Sequence, residues 1–140
     1  MTWKVQRVST WAASLEDKPG SLAAKLAALA GAGVNLEFVI ARRTPERKGM
    51  GVVFVTPIKG AAAARAARQA GFEKTGSLHA VRIEGPDKQG QGGRMAQALA
   101  EKGLNLRGLS AAAIGTRFIA HIALDNSADA AKAASILKKL

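Results

Sequence analysis
The chain repeats itself. Asp17-Lys18-Pro19-Gly20 returns as Asp87-Lys88-Gln89-Gly90, and Gly33-Val34-Asn35-Leu36 returns as Gly103-Leu104-Asn105-Leu106. Asp87 lies 70 residues after Asp17, and Asn105 lies 70 after Asn35, so one offset carries both landmarks without a gap. Such self-similarity constrains the fold more than any single motif, because each copy must form the same supersecondary unit. At 140 residues the chain is one ordinary domain or two very small ones.

In each copy a tight turn feeds a short helix, a glycine ends it, and a strand follows. Residues Trp3 to Ser14 read as a strand, with Trp3, Val5, Arg7, Ser9, Trp11 and Ala13 on one side and Val8 and Ala12 on the other. Pro19-Gly20 breaks it, and Ser21 is placed to cap the helix through its hydroxyl. Leu22, Leu26 and Leu29 recur at helical spacing, and Gly31 and Gly33 end the helix. Leu36 to Ala41 reads as the second strand, with Leu36, Phe38 and Ile40 facing away from Glu37, Val39 and Ala41. Arg42 to Gly49 reads as a polar loop and Met50 to Thr56 as an apolar, central strand. A helix over Ala61 to Ala70 and a short strand over Phe72 to Thr75 complete the copy.

The second copy follows suit. Leu78 to Glu84 reads as its first strand, with Leu78, Ala80 and Arg82 alternating against His79, Val81 and Ile83. Gly90 to Lys102 is its first helix, with Met95, Ala96 and Leu99 inward. Asn105 to Ala113 and Arg117 to Leu124 are its next strands. Asp125 or Ser127 caps a last helix carrying Ala130, Ala133, Ala134 and Leu137. Its fourth strand is missing. Residues 2–6, which align by the same offset with 72–76, are expected to supply it, within the chain or in a partner. The expected division is 1–75 and 76–140, and deleting residues 1–6 is expected to destabilise the second half.

Composition narrows the function classes. The absence of cysteine removes disulfides and thiolate metal sites and fits a reducing, cytoplasmic setting. The N-terminal residues lack the apolar core of a signal peptide, and no run reaches membrane-spanning length, so a soluble protein with no membrane partner is expected. There are 21 Lys and Arg against 10 Asp and Glu, a formal charge of +11. Scattered cations keep an alanine-rich chain in solution. The alternative is a polyanion or nucleic-acid surface, for which Arg42, Arg43, Arg47 and Lys48 are the candidates, although no aromatic-interleaved basic strand accompanies them.

The residues that can carry chemistry are those of the repeated turn. The start of a helix presents N–H groups without intrahelical partners and a partial positive charge, which suits a carboxylate. Asp17 can accept from an ammonium group, and Asn35 can donate and accept at once. Placed at one end of the sheet, these groups would describe a receptor for a free amino acid. The competing reading is that Asp17 and Asn35 satisfy only their own turn and strand entry.

Leu15-Glu16-Asp17-Lys18-Pro19-Gly20-Ser21-Leu22 with Gly33-Val34-Asn35-Leu36 resembles the signature of the ACT domain. The resemblance spans nearly the whole chain, twice. It implies an α+β protein of two ferredoxin-like βαββαβ repeats, with antiparallel sheets and helices on one face. It also implies a regulatory sensor rather than an enzyme, binding an amino acid at an interface between units without a cofactor. Carried over, the ligand-binding positions are Asp17, Gly20, Ser21, Leu22 and Asn35, with Asp87, Gly90, Gln91 and Asn105 as their counterparts. Gln89 in place of proline, with Gly92 and Gly93, marks the second turn as the looser one. Sheets joining side by side, a homodimer along edges or helix faces, and a possible partner enzyme complete the expectation.

Catalysis has little support. Acylphosphatases share the topology but need an arginine cradle, where this turn offers Lys18. His79 and His121 sit at strand positions 42 apart and read as sheet-surface residues.

Overall fold
The computed structural model describes residues 3–140, without the side chains of 76–78. Thr2, expected in the supplied strand, and the facing of Leu78 lie outside the described residues. Along the chain run β1 (Lys4–Glu16), α1 (Ser21–Gly31), β2 (Phe38–Arg43), β3 (Met50–Thr56), α2 (Ala61–Gln69), β4 (Glu73–Pro86), α3 (Gln91–Glu101), β5 (Gly108–Ile114), β6 (Arg117–Leu124) and α4 (Ser127–Leu137). They form two compact units: a leading unit of Ser9–Thr75, and a trailing unit that combines the N-terminal residues through Val8 with Gly76–Leu140.

Strand order in the leading unit is β2-β3-β1-β4, and in the trailing unit β5-β6-β4-β1. The pairs β1/β3, β2/β3, β4/β6 and β5/β6 are all antiparallel. Each unit is therefore a βαββαβ ferredoxin-like repeat. Two long strands serve both: β1 gives Lys4–Val8 to the trailing unit, and β4 gives Glu73–Thr75 to the leading one. The separate strands expected at 72–75 and 78–84 are one strand of 14 residues, because nothing at Gly76 turns the backbone.

Two cores result. In the leading unit Trp11, Ala13, Leu15, Leu29, Val53, Val55, Ala67 and Phe72 are buried, with Leu22, Leu26 and Leu36 packed against them. In the trailing unit Val81, Ile83, Met95, Leu99, Ile122, Leu124 and Leu137 are buried together with Trp3. Each large apolar side chain removed from water stabilises its unit by roughly 1.5–3 kcal/mol. Trp3 meets Phe118 edge to face, with ring centroids 6.5 Å apart. Its indole lies over Gly85, where any Cβ would collide with the ring.

Helices α1 and α3 close alike. The N–H of Gly33 donates to Ala30 O (3.0 Å) and that of Val34 to Leu29 O (3.1 Å); Gly103 and Leu104 do the same to Ala100 and Leu99 (2.9 and 3.1 Å). Gly33 and Gly103 have φ of 79° and 77°. Those left-handed residues satisfy the last carbonyls, the physical basis of the Gly-Val-Asn and Gly-Leu-Asn steps.

Several local expectations are corrected. Ser21 does not cap α1; Gly20 occupies the cap in the left-handed conformation and Ser21 is already helical. The last helix is capped by neither Asp125 nor Ser127 but by Asn126, whose Oδ1 accepts from Asp129 N at 2.8 Å. Strands β2 and β5 begin later than Leu36 and Asn105, because Leu36 and Leu106 pack onto the cores from the connecting loop. Arg42 and Arg43 belong to β2, paired with Val52 and Gly51, rather than to a loop. His121 is 7 % exposed, not a surface residue.

Candidate functional site
The repeated turn has the same backbone in both units. Gly20 (φ 91°, ψ −17°) and Gly90 (φ 84°, ψ 6°) sit at the helix starts, and no cap side chain bonds to either first turn. Asp17 N donates to Gly49 O (2.9 Å) and Asp87 N to Thr116 O (2.8 Å), tying each turn to the far end of its hairpin. No acidic residue stands in the first turn of α1 or α3. The helix-start amides thus face no competing carboxylate of their own helix, and an external carboxylate suits them.

The side chains differ. Asp17 Oδ2 accepts from Arg43 Nε at 2.7 Å on the protein surface. Asp87 is exposed and, among the described residues, has no side-chain partner; the position equivalent to Arg43 is Ala113. Leu22 turns into the leading core and is not free to line a pocket wholly. Ser21 is half-buried. Gln91 is 4 % exposed, and its Nε2 donates to Pro86 O at 3.0 Å. The second turn is therefore not loose: a buried side chain closes it where the first copy uses proline. Sequence alone gives no sign of this bond, since a glutamine among glycines reads as solvated.

The asparagines stand elsewhere. Glu16 pairs with Met50, whereas Phe38 pairs with Thr56, so the turn after β1 and the entry to β2 lie at opposite ends of β3. The six residue steps from Met50 to Thr56 span about 20 Å. Asn35 is exposed near the Thr56 end, without a side-chain partner among the described residues, and Asp17 is at the other. Asn105 and Asp87 are separated in the same way. The expected meeting of turn and asparagine at one end of the sheet is overturned, because a helix returning antiparallel to β1 starts the next strand beside β1's beginning. Only Arg43, at the end of β2, is brought to the turn.

The candidate polyanion contacts are dispersed too. Arg42 and Arg43 are adjacent in a strand and so point to opposite faces, Arg43 is engaged by Asp17, and Arg47 and Lys48 are exposed in the following loop. Among the described residues no group of three or more metal-ligating side chains exists, and no helix is long and apolar enough to cross a membrane.

Several solved structures share this arrangement. A Bacteroides thetaiotaomicron protein superposes over 96 % of this chain and 89 % of its own, with a TM-score of 0.78 and 18 % identity. The ligand-free regulatory subunit of aspartate kinase from Thermus thermophilus covers 99 % of this chain and 96 % of its own, with a TM-score of 0.66 and 18 % identity. A putative C-terminal regulatory domain of aspartate kinase from Porphyromonas gingivalis covers 98 % and 95 %, with a TM-score of 0.54 and 15 % identity. The fold is that of tandem ACT regulatory domains. No family model and no curated protein matches the sequence.

Proposed function
We propose that this tandem ACT chain is a regulatory protein that binds a free amino acid and reports its level, without chemistry of its own. The observation that carries the reading is the duplicated turn, whose helix-start amides face no capping side chain. A carboxylate fits those amides, and an exposed asparagine fits an ammonium or carboxylate partner. The likeness to regulatory subunits of aspartate kinase supports a regulatory role over a catalytic one.

Because turn and asparagine occupy opposite ends of one unit, a ligand touching both takes the turn from one unit and the asparagine from a unit of a second chain. The assigned positions are Asp17, Gly20, Ser21, Leu22 and Asn35 in one copy and Asp87, Gly90, Gln91 and Asn105 in the other. In the first copy the ligand's ammonium competes with Arg43 for Asp17. Ligand occupancy would then order two chains against each other and shift a population of states, with a partner enzyme as a possible recipient in a reducing cytoplasm.

The test is a thermal-shift panel of the twenty amino acids and several nucleotides at low and moderate salt. A ligand of the native state raises the melting temperature with occupancy. One amino acid is expected to do so, and Asn35→Ala with Asp17→Ala, or Asn105→Ala with Asp87→Ala, is expected to remove the shift. A shift only with polyanions, lost on adding salt, would replace this reading with the basic-surface one.

A further inference from the structure
We infer that the helix-free face of the leading unit's sheet binds single-stranded nucleic acid, with two phenylalanines stacking bases and flanking cations meeting phosphates. Side chains alternate along a strand, so with Val53 and Val55 in the core, Val52 and Phe54 of β3 face away from the helices. The register carries that face onto β2, where Phe38, Ile40 and Arg42 lie opposite Thr56, Phe54 and Val52. Ile40 is 38 % exposed there. Neither Asp17 nor Asn35 takes part, so this site stands apart from the amino-acid reading.

The placing of the aromatic residues singles this face out. The chain has four phenylalanines, two tryptophans and no tyrosine. Trp11 and Phe72 lie in the leading core, and Trp3 lies in the trailing core with Phe118 packed against it. Phe38 and Phe54 belong to neither core and share one face, half-buried. They are diagonal neighbours across the β2/β3 ladder, about 7 Å apart at their bases, which offers two successive bases a ring each. The trailing unit carries Arg82, His121 and Ser110 in the equivalent row, with no phenylalanine or tryptophan.

Charge selects the occupant. Arg42 is exposed at the end of the face, and Arg47 and Lys48 are exposed in the loop that follows β2; none of the three has an ion pair among the described residues. Glu46 is the acid of that loop, and Glu16, which faces the same side, is taken up by Lys18 at 2.8 Å. Arg43 points to the other face and to Asp17. Aromatic rings beside free cations match the two surfaces of a single strand, the faces of its bases and its phosphates. A duplex keeps its bases stacked inside and offers only phosphates. A second copy of the chain would bring another charge of +11 to the same place.

The test is fluorescence anisotropy of the full chain with labelled oligouridylate and oligothymidylate of about 12 nucleotides, beside a duplex of equal length. Binding of either single strand, with the duplex weaker by roughly tenfold, is expected, and the tighter of the two names RNA or DNA as the source. Phe54→Leu, shown folded by circular dichroism, removes the ring and is expected to lose roughly 5- to 150-fold in affinity, which Phe54→Trp restores. Arg42→Gln is expected to lower the salt slope by about 0.7, whereas Arg94→Gln, at an exposed cation of α3, leaves affinity near wild type. On irradiation, a strand bearing iodouracil is expected to cross-link to peptides that contain Phe38 or Phe54. No binding at low salt, equal binding of the duplex, an equal loss from Arg94→Gln, or cross-links confined to the trailing unit overturns the inference. A wild-type dimer that Phe54→Leu dissociates overturns it too, and makes the face a contact between copies.

Discussion

The two copies share a backbone and differ in most of the side chains laid on it. The left-handed glycines that start and follow α1 and α3, and the closures of those helices, superpose by a shift of 70 residues. Beyond the hairpin the shift becomes 67, because residues 44–49 separate β2 from β3 where only 115–116 separate β5 from β6. Position by position the chemistry then diverges. Across the helix-free face, Ala12, Phe54 and Ile40 form a row in the leading unit. The equivalent row in the trailing unit is Arg82, His121 and Ser110. Where the leading unit buries Leu15, the trailing unit has Gly85 and fills the space with Trp3. The difference teaches that glycine conformation and main-chain bonds hold the architecture, so side chains at the turn, face and edge are free to specialise.

The largest expected effect tests that last substitution of parts. Trp3→Ala removes a buried indole and leaves a cavity above Gly85, a loss of about 3–5 kcal/mol. Calorimetry should show the trailing unit melting earlier while Ser9–Thr75 is little changed; equal losses in both would break the comparison. Next is the turn closure: Gln91→Ala strips a buried donor from Pro86 O and is expected to cost about 1–3 kcal/mol. Ser21→Ala, at the matching position, should stay within about 0.5 kcal/mol by urea titration.

Acid sensitivity should also differ between the copies. Glu84, 18 % exposed, accepts from Arg82 Nη1 at 3.0 Å and lies near Lys4 and Arg117. The Arg82 hydrogen bond foremost, then the surrounding cations, hold its carboxyl below the ordinary value of 4.5, against an opposing effect of burial. A depressed carboxylate contributes stability that is intact above the unfolded value and lost as pH falls through the folded one. Glu84→Gln should therefore flatten the trailing unit's acid limb below about pH 4.5; an unchanged limb would show that other carboxylates set it. The leading unit has Ser14 at that position and no counterpart. The smallest effect is Arg43→Ala, which breaks an exposed ion pair and should change stability by no more than about 1 kcal/mol, yet free Asp17 for ligand in thermal-shift titrations.

Much of this plan was legible because its signals are local. Gly33 and Gly103 end their helices for a reason visible in four residues, and Met50–Thr56 and Arg117–Leu124 are strands at the bounds their apolar patterns predict. What was hidden depends on distant partners. Leu36 looks like the first inward residue of a strand but packs from a loop onto the helix-bearing core. Gln91 looks solvated until Pro86 O is seen beside it. The ends of the sheet were misjudged because an asparagine's place is fixed by the direction in which α1 returns, and no residue in Gly33-Val34-Asn35 encodes that direction.

The sharing of β1 between units also sets an order in time. Ser9–Thr75 is one unbroken stretch and can fold while the rest of the chain is still being made. The trailing unit cannot. Trp3 is made 115 residues before Phe118, the ring it meets. Contacts of such sequence separation close slowly, so a nascent chain carries an unsatisfied indole until Phe118 has been made. Moving residues 3–8 to follow Leu140 through a short linker, with the chain opened at Ser9, would make both units contiguous and should speed refolding of the second.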